Sequence, residues 1–131
     1  MTAKLDQKIG NFLLAVESLR SALALPVQND RDVAGIIQNF EFTYETGWKA
    51  LKEWLAQKGV EALFPRDVFE KAYAGGALES PDSWAEMIQA MIQDRNLSSH
   101  TYDRSTAQVL VDKIRKVYFP LFQALAEKLD V

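Results

Sequence analysis

The chain has no cysteine and one histidine, His100, in 131 residues. The first absence excludes a disulfide scaffold, a thiolate nucleophile and every cysteine-based zinc or iron–sulfur centre. The second leaves too few imidazoles for a histidine-rich metal site, and it removes the di-iron bundle, which needs Glu-x-x-His twice. No metal and no other cofactor is expected. Also missing are a phosphate-cradling glycine-rich loop ending in Lys-Ser or Lys-Thr, a Gly-x-Gly-x-x-Gly and a Gly-x-Ser-x-Gly. Charge of one sign is scarce: 15 Lys and Arg stand against 18 Asp and Glu, a net charge of −3. No global field then draws the chain to nucleic acid, and any such contact must come from a local patch. Long apolar runs are lacking too. The longest lies around Tyr118–Phe122, far below the roughly 18 residues of a membrane helix. The opening Met-Thr-Ala-Lys-Leu-Asp-Gln-Lys offers no apolar core for a secretory signal. A cytoplasmic protein without a membrane partner is the expectation.

What remains is 48% hydrophobic and 25% charged, the balance of an ordinary globular protein. The length suits one domain, on a scale of roughly 100–200 residues per domain, so residues 1–131 are read as a single unit.

The apolar residues fall at helical spacing almost throughout. Leu5, Ile9, Phe12, Leu13, Val16, Leu19 and Leu23 form one stripe, which Pro26 ends. Ile36, Ile37, Phe40, Tyr44, Trp48, Leu51, Trp54 and Leu55 form a second between Val33 and about Lys58, with Gly59 as its stop. A short helix should start at Pro65 and end at Gly75-Gly76. Ser80-Pro81-Asp82 reads as a helix start ahead of Trp84, Met87, Ile88 and Met91. Ser105-Thr-Ala-Gln108 matches a capping box for a long last helix, which Pro120 should kink or split. The predicted fold is all-α: an up-and-down antiparallel four-helix bundle with an extra short helix.

Three local features need weighing. Phe42 lies about 200° round its helix from Phe40, so either that helix is buried on two sides or an apolar patch is shared with another chain. Asp30-Arg31-Asp32 precedes a helix, where acids complement the helix dipole, and the pair is read as a cap rather than a metal-binding carboxylate pair. The segment Arg95-Asn-Leu-Ser-Ser-His-Thr-Tyr-Asp103 falls at a junction between helices. Between Arg95 and Lys116, five cations face Asp103 and Asp112, an excess of positive charge beside the only histidine; that is what binding a phosphate requires. A purely structural account is also open. Arg95 can complement a helix C-terminus, His100 can cap carbonyls there, and Tyr102 can pack with its hydroxyl on backbone.

The motif Arg95-Asn96-x-x-x-His100-x-Tyr102 resembles the Arg-polar-x-His signature of HEPN-domain proteins, with the added tyrosine of the subgroup paired with minimal nucleotidyltransferases. Together with Phe40-Glu-Phe-Thr-Tyr-Glu-Thr-Gly-Trp-Lys-Ala-Leu-Lys52, it makes nearly the whole chain similar to the nucleotidyltransferase substrate-binding proteins. Gly47 stands where a bulkier helix former is expected. The resemblance implies a homodimeric helical bundle whose partner is a small nucleotidyltransferase. The chain has no Gly-Ser pair, which the transferase signature needs, so it is read as the partner subunit. The resemblance further implies a metal-independent ribonuclease site at Arg95 and His100, a toxin–antitoxin relationship, and Tyr102 as the residue to which the transferase adds AMP. The alternative within the family is a non-catalytic subunit that docks substrate or partner.

The chemistry is consistent with those residue types. Cleavage of RNA by its own 2′-hydroxyl needs a base, an acid and a cation. Histidine serves either proton role near neutrality, and arginine presents a fork of donors to phosphate oxygens. Asn96 can donate to the phosphate or orient the imidazole, Tyr102 is a third hydrogen-bonding group, and Arg104 adds charge nearby. One imidazole per chain means that a paired acid–base mechanism requires two chains. A histidine phosphotransfer bundle fits poorly, because its histidine sits mid-helix.

Overall fold

A computed structural model describes residues 2–76, 83–100 and 103–130. Among them every regular element is helical: α1 (Ala3–Ala24), α2 (Asp30–Gln57), α3 (Pro65–Ala74), α4 (Ser83–Ser98), α5 (Arg104–Lys113) and α6 (Phe119–Leu129), with a π-helical turn, Ile114–Tyr118, joining the last two. The all-α reading holds, and the observed boundaries have local causes. Leu25, preceding a proline, is forced into extended backbone (φ −92°, ψ 145°), which ends α1. Asn29 caps α2 by accepting from the Asp32 N–H at 2.9 Å, while Asp32 reaches back to the Gln28 N–H at 2.9 Å. The helix thus begins at Asp30, ahead of the expected Val33, and the two aspartates occupy its first turn. At its other end Gly59 has φ 78°. The N–H groups of Gly59 and Val60 return to the Ala56 and Leu55 carbonyls at 3.0 and 2.9 Å, a Schellman closure.

The last helix departs from expectation at its start. Its cap is Asp103, whose carboxylate accepts from the Ser105 and Thr106 N–H groups, so the helix starts at Arg104 and Ser105 is not the N-cap. Aspartate leaves the chain extended and reaches both orphan amides, which the Ser105 box cannot do from inside the helix. Pro120 interrupts the α-helix, as expected, and stands in the first turn of α6. The backbone widens just before it, with the Phe119 N–H bonded to the Ile114 carbonyl, so the missing proline donor falls at the start of α6. The Ser80–Pro81–Asp82 start of α4 and the side chain of Trp84 lie outside the described residues.

Cross-contacts give the topology. Lys4 meets Glu53, Phe12 lies against Gly47 and Ser18 bonds Asn39, so α1 and α2 run antiparallel. Ser98 and Arg95 meet Glu41 and Glu45 in reverse order, which sets α4 antiparallel to α2. Arg104 meets Asp30 and Tyr118 stacks on Phe40, so the final rod is parallel to α2. This is the up-and-down bundle, with α3 as the extra short helix packed against α2 and α4.

Its centre is aromatic. Phe40 stacks on Tyr118 with ring centroids 5.4 Å apart, and Phe122 meets both Phe40 and Phe12. Phe12 fits because position 47 is glycine: a Cβ there would stand 3.0 Å from the Phe12 ring. The glycine that looks like a weak helix former in the sequence is what lets α1 and α2 close on each other. Phe42 remains 56% exposed, so α2 is not buried on that side within one chain.

Candidate functional site

The last turn of α4 carries Arg95 and Asn96, and the following Ser99–His100 turn closes with the His100 N–H donating to the Leu97 carbonyl at 2.9 Å. Arg95 faces α2. Its Nη1 donates to Glu41 Oε2 at 3.1 Å, and its Nη2 stands 3.5 Å from Glu45 Oε1. Among the described residues its Nε is buried without a partner. Ser98, one helical turn further on, donates to Glu41 Oε2 at 2.6 Å and also has the Arg95 carbonyl within reach at 2.8 Å. Glu45 also accepts from Trp48 Nε1 at 3.1 Å. A chain of polar contacts therefore runs Trp48–Glu45–Arg95–Glu41–Ser98 across the α2–α4 seam. Asn96 and His100 are exposed. Thr101 and Tyr102 lie outside the described residues.

The positive excess of the sequence is neutralised in space. Arg95 has its two glutamates, Arg104 forms a forked pair with Asp30 at 3.0 Å, and Lys113 reaches Asp94 at 3.3 Å. Arg115 donates to the Leu23 carbonyl at 2.7 Å and so closes the C-terminus of α1. The local sum from Arg95 to Lys116 counts only neighbours in sequence, whereas these acids arrive from α2 and α4. Arg104 is accordingly an exposed ion-pair partner, its pKa raised by the hydrogen bond to Asp30.

Beside the motif, a cleft of about 620 Å³ opens between α2, the end of α4 and the start of α5. Val33, Ile37 and Ala107 form its apolar floor, and Asp30, Glu41, Asp103 and Arg104 its charged rim. Arg95, Asn96 and His100 are not among the residues that line it. Asp103 is held well below the usual carboxylate range, chiefly by the Thr106 and then the Ser105 hydroxyl. Burial, with Glu45 adding to it and Arg95 opposing it, pushes Tyr44 up to about 12. Tyr118 is raised further by burial and by donating to Asp94. Among the described residues no group of three or more His, Asp or Glu is arranged to hold a metal ion. No helix there is long and apolar enough to cross a membrane.

Glu41 and Glu45 are the site residues that motif reading passes over. Their signal is two carboxylates at i and i+4, one face of a helix, but nothing local says that their shared partner is Arg95, on another helix.

Comparison with known proteins agrees with this architecture. The chain is 31% identical over 93 residues to a probable ribonuclease HepT of Haemophilus influenzae, an alignment that takes in 67% of this chain and 61% of that protein. The chain thus spans about three-fifths of that relative's length. A crystal structure from Thermus thermophilus superposes with a TM-score of 0.82 at 28% identity, covering 92% of this chain and 99% of that one. A tri-AMPylated HEPN toxin of Shewanella oneidensis, solved in complex with MNT antitoxin, shares the fold with a TM-score of 0.75 at 13% identity, over 99% of this chain and 98% of that one. The family model described as nucleotidyltransferase substrate binding protein like matches residues 7–131, and the chain belongs to that family.

Proposed function

We propose that the chain is the HEPN-type partner of a minimal nucleotidyltransferase and a metal-independent ribonuclease held in check by that partner. The observation that carries this is the end of α4: Arg95 is anchored by α2, and an exposed His100 follows five residues later, just past the helix end. The related probable ribonuclease HepT supports the activity, and the AMP-bearing HEPN toxin with its MNT antitoxin supports the partner.

In this reading His100 takes the proton of a ribose 2′-hydroxyl, whose oxygen attacks the adjacent phosphorus. The bond to the 5′-oxygen breaks, leaving a 2′,3′-cyclic phosphate and a 5′-hydroxyl that gains a proton. Arg95 and Asn96 stabilise charge on the phosphoryl oxygens through hydrogen bonds. The second proton role falls to His100 of another copy, so the working unit is a homodimer. Apolar surface next to the motif supports that assembly: Phe42 follows Glu41 on α2, Leu97 follows Asn96 on α4, and both are more than half exposed. AMP on Tyr102, seven residues after Arg95 in the sequence, adds a negative, bulky group that competes with RNA for the cation in this reading.

A second reading, a docking subunit without catalysis, is favoured by the double carboxylate pairing of Arg95 and by the acidic rim of the cleft. Cleavage assays in chelator separate the two. His100→Ala should lower cleavage about 10²–10⁴-fold if it transfers the proton. Treatment with the transferase and ATP should silence wild type and leave Tyr102→Phe active. Equal cleavage by wild type and His100→Ala, or no cleavage by either, replaces the ribonuclease with the docking subunit. Sedimentation at micromolar concentration showing only a 14.8 kDa species would remove the dimer.

A further inference from the structure

The α2 carboxylates beneath the motif have no part in the chemistry described so far, yet one of them grips α4 at two points. Glu41 Oε2 accepts from Arg95 Nη1 at 3.1 Å and from Ser98 Oγ at 2.6 Å. Ser98 is 4% exposed and lies three residues after Arg95 and two before His100. It is the last residue of α4, the point from which the His100 turn leaves the helix. Glu45 is placed differently. It is more exposed, stands further from the guanidinium and divides its oxygens with Trp48.

We infer that Glu41 is the positioning residue of the site, holding Arg95 directly and the His100 turn through Ser98; this rests on the ribonuclease reading above. The donor arithmetic favours a geometric role. A guanidinium has five N–H donors in a rigid fork. One is spent on Glu41, one faces Glu45, and Nε is buried. Two hydrogens, one on each terminal nitrogen, remain to meet a phosphate, and the bond to Glu41 fixes the plane in which they lie. Two carboxylates against one guanidinium give a locus of net negative charge, so Glu41 does not act by adding attraction for RNA. Its contribution is orientation, and small misplacements of reacting groups are costly in rate. The stability at stake is small, because partly exposed ion pairs contribute little. Variants at Glu41 should therefore stay folded.

The test combines kinetics with a spectroscopic probe that needs no activity. Glu41→Ala should lower kcat about 10–100-fold with KM changed little. Glu41→Gln, which keeps an acceptor oxygen, should recover part of that loss. The Glu41→Ala/Arg95→Ala double variant should lose less than the product of the two single losses, since the two share one contact, with any loss beyond Arg95→Ala reporting the Ser98 contact. His100 is the only histidine, so its Hε1 proton gives one assignable resonance. That resonance should move in both Glu41→Ala and Ser98→Ala while circular dichroism stays unchanged. If wild type cleaves RNA but Glu41→Ala cleaves as fast with an unmoved resonance, the positioning role is wrong and the ribonuclease stands. If wild type cleaves nothing and the resonance still moves, the ribonuclease fails while Glu41 still sets the geometry of the motif. Losses that multiply in the double variant would make Glu41 and Arg95 independent, and would overturn the inference.

Discussion

Three glycines within helices allow the closeness of α1 and α2 to be measured. Gly10 and Gly35 have open space where a Cβ would be added, with nothing within 4 Å. At Gly47 the added carbon would lie 3.0 Å from Phe12 Cε1 and 3.3 Å from Cδ1. That ring is fully buried and meets Phe122 edge-on at 6.3 Å, so it has little room to retreat. Alanine is favoured over glycine in a helix by about 0.8–1.0 kcal/mol. Gly35→Ala should gain about that much, which for a chain of this size raises Tm by about 4 °C. Gly47→Ala gains the same helix preference but incurs an overpacking cost of about 1–3 kcal/mol. The net result should run from no change to about 2 kcal/mol of destabilisation. Urea denaturation with an unchanged m-value gives both numbers, and the gap between the variants is the packing cost. Shortening the ring with Phe12→Leu should shrink that gap, because residues in contact do not behave additively. If Gly47→Ala stabilises as much as Gly35→Ala, with or without Phe12→Leu, the tight approach of α1 to α2 is refuted.

Three further predictions follow from the polar contacts. Tyr118→Phe deletes a donor to Asp94, which keeps Lys113 at 3.3 Å; the loss should be about 1–2 kcal/mol by chemical denaturation, and no loss would mean that the bond does not hold in solution. Tyr44 and Tyr118 both keep their protons in the folded state beyond the ordinary pKa of 10.0. Stability should therefore be complete below pH 10 and fall as pH rises towards 12, by up to about 1.4 kcal/mol per pH unit for each group; tyrosinate absorbance should appear together with loss of helix, and early tyrosinate in a folded chain would contradict this. Asp103 has the opposite sign: its lowered pKa gives a contribution present above the ordinary aspartate range and lost as pH falls below it. Asp103→Ala should thus speed amide exchange in the first turn of α5, and an unchanged rate would refute the cap.

How far the sequence alone leads can be judged residue by residue. The stripe Leu5–Leu23 and the stripe Ile36–Leu55 gave α1 and α2 because helical spacing is a local property, and Pro26, Gly59 and Pro65 act on the backbone next to them. The start of α5 was misread because Ser105 and Asp103 both suit a cap, and only the chain's path selects between them. Pro120 signalled trouble correctly, but whether a helix kinks or widens depends on how the rod packs, here beside Phe12 and Phe40. At the site, the motif pointed to Arg95, Asn96 and His100 from their order alone. Glu41, Glu45 and Asp30, which pair with Arg95 and Arg104, stand 50 to 74 residues away. A charge count along the chain cannot register acids brought in by the fold. For that reason the basic patch was overestimated and the carboxylate anchor went unnoticed.

The claim at the centre of this account is that a 2′-hydroxyl, His100 and Arg95 together cut RNA without metal. The most direct test is to incubate the purified chain with single-stranded RNA in excess chelator and to identify the product ends by mass spectrometry. Wild type should leave 2′,3′-cyclic phosphate and 5′-hydroxyl ends, and both should disappear with His100→Ala. Intact RNA, or ends bearing a 5′-phosphate, would contradict it.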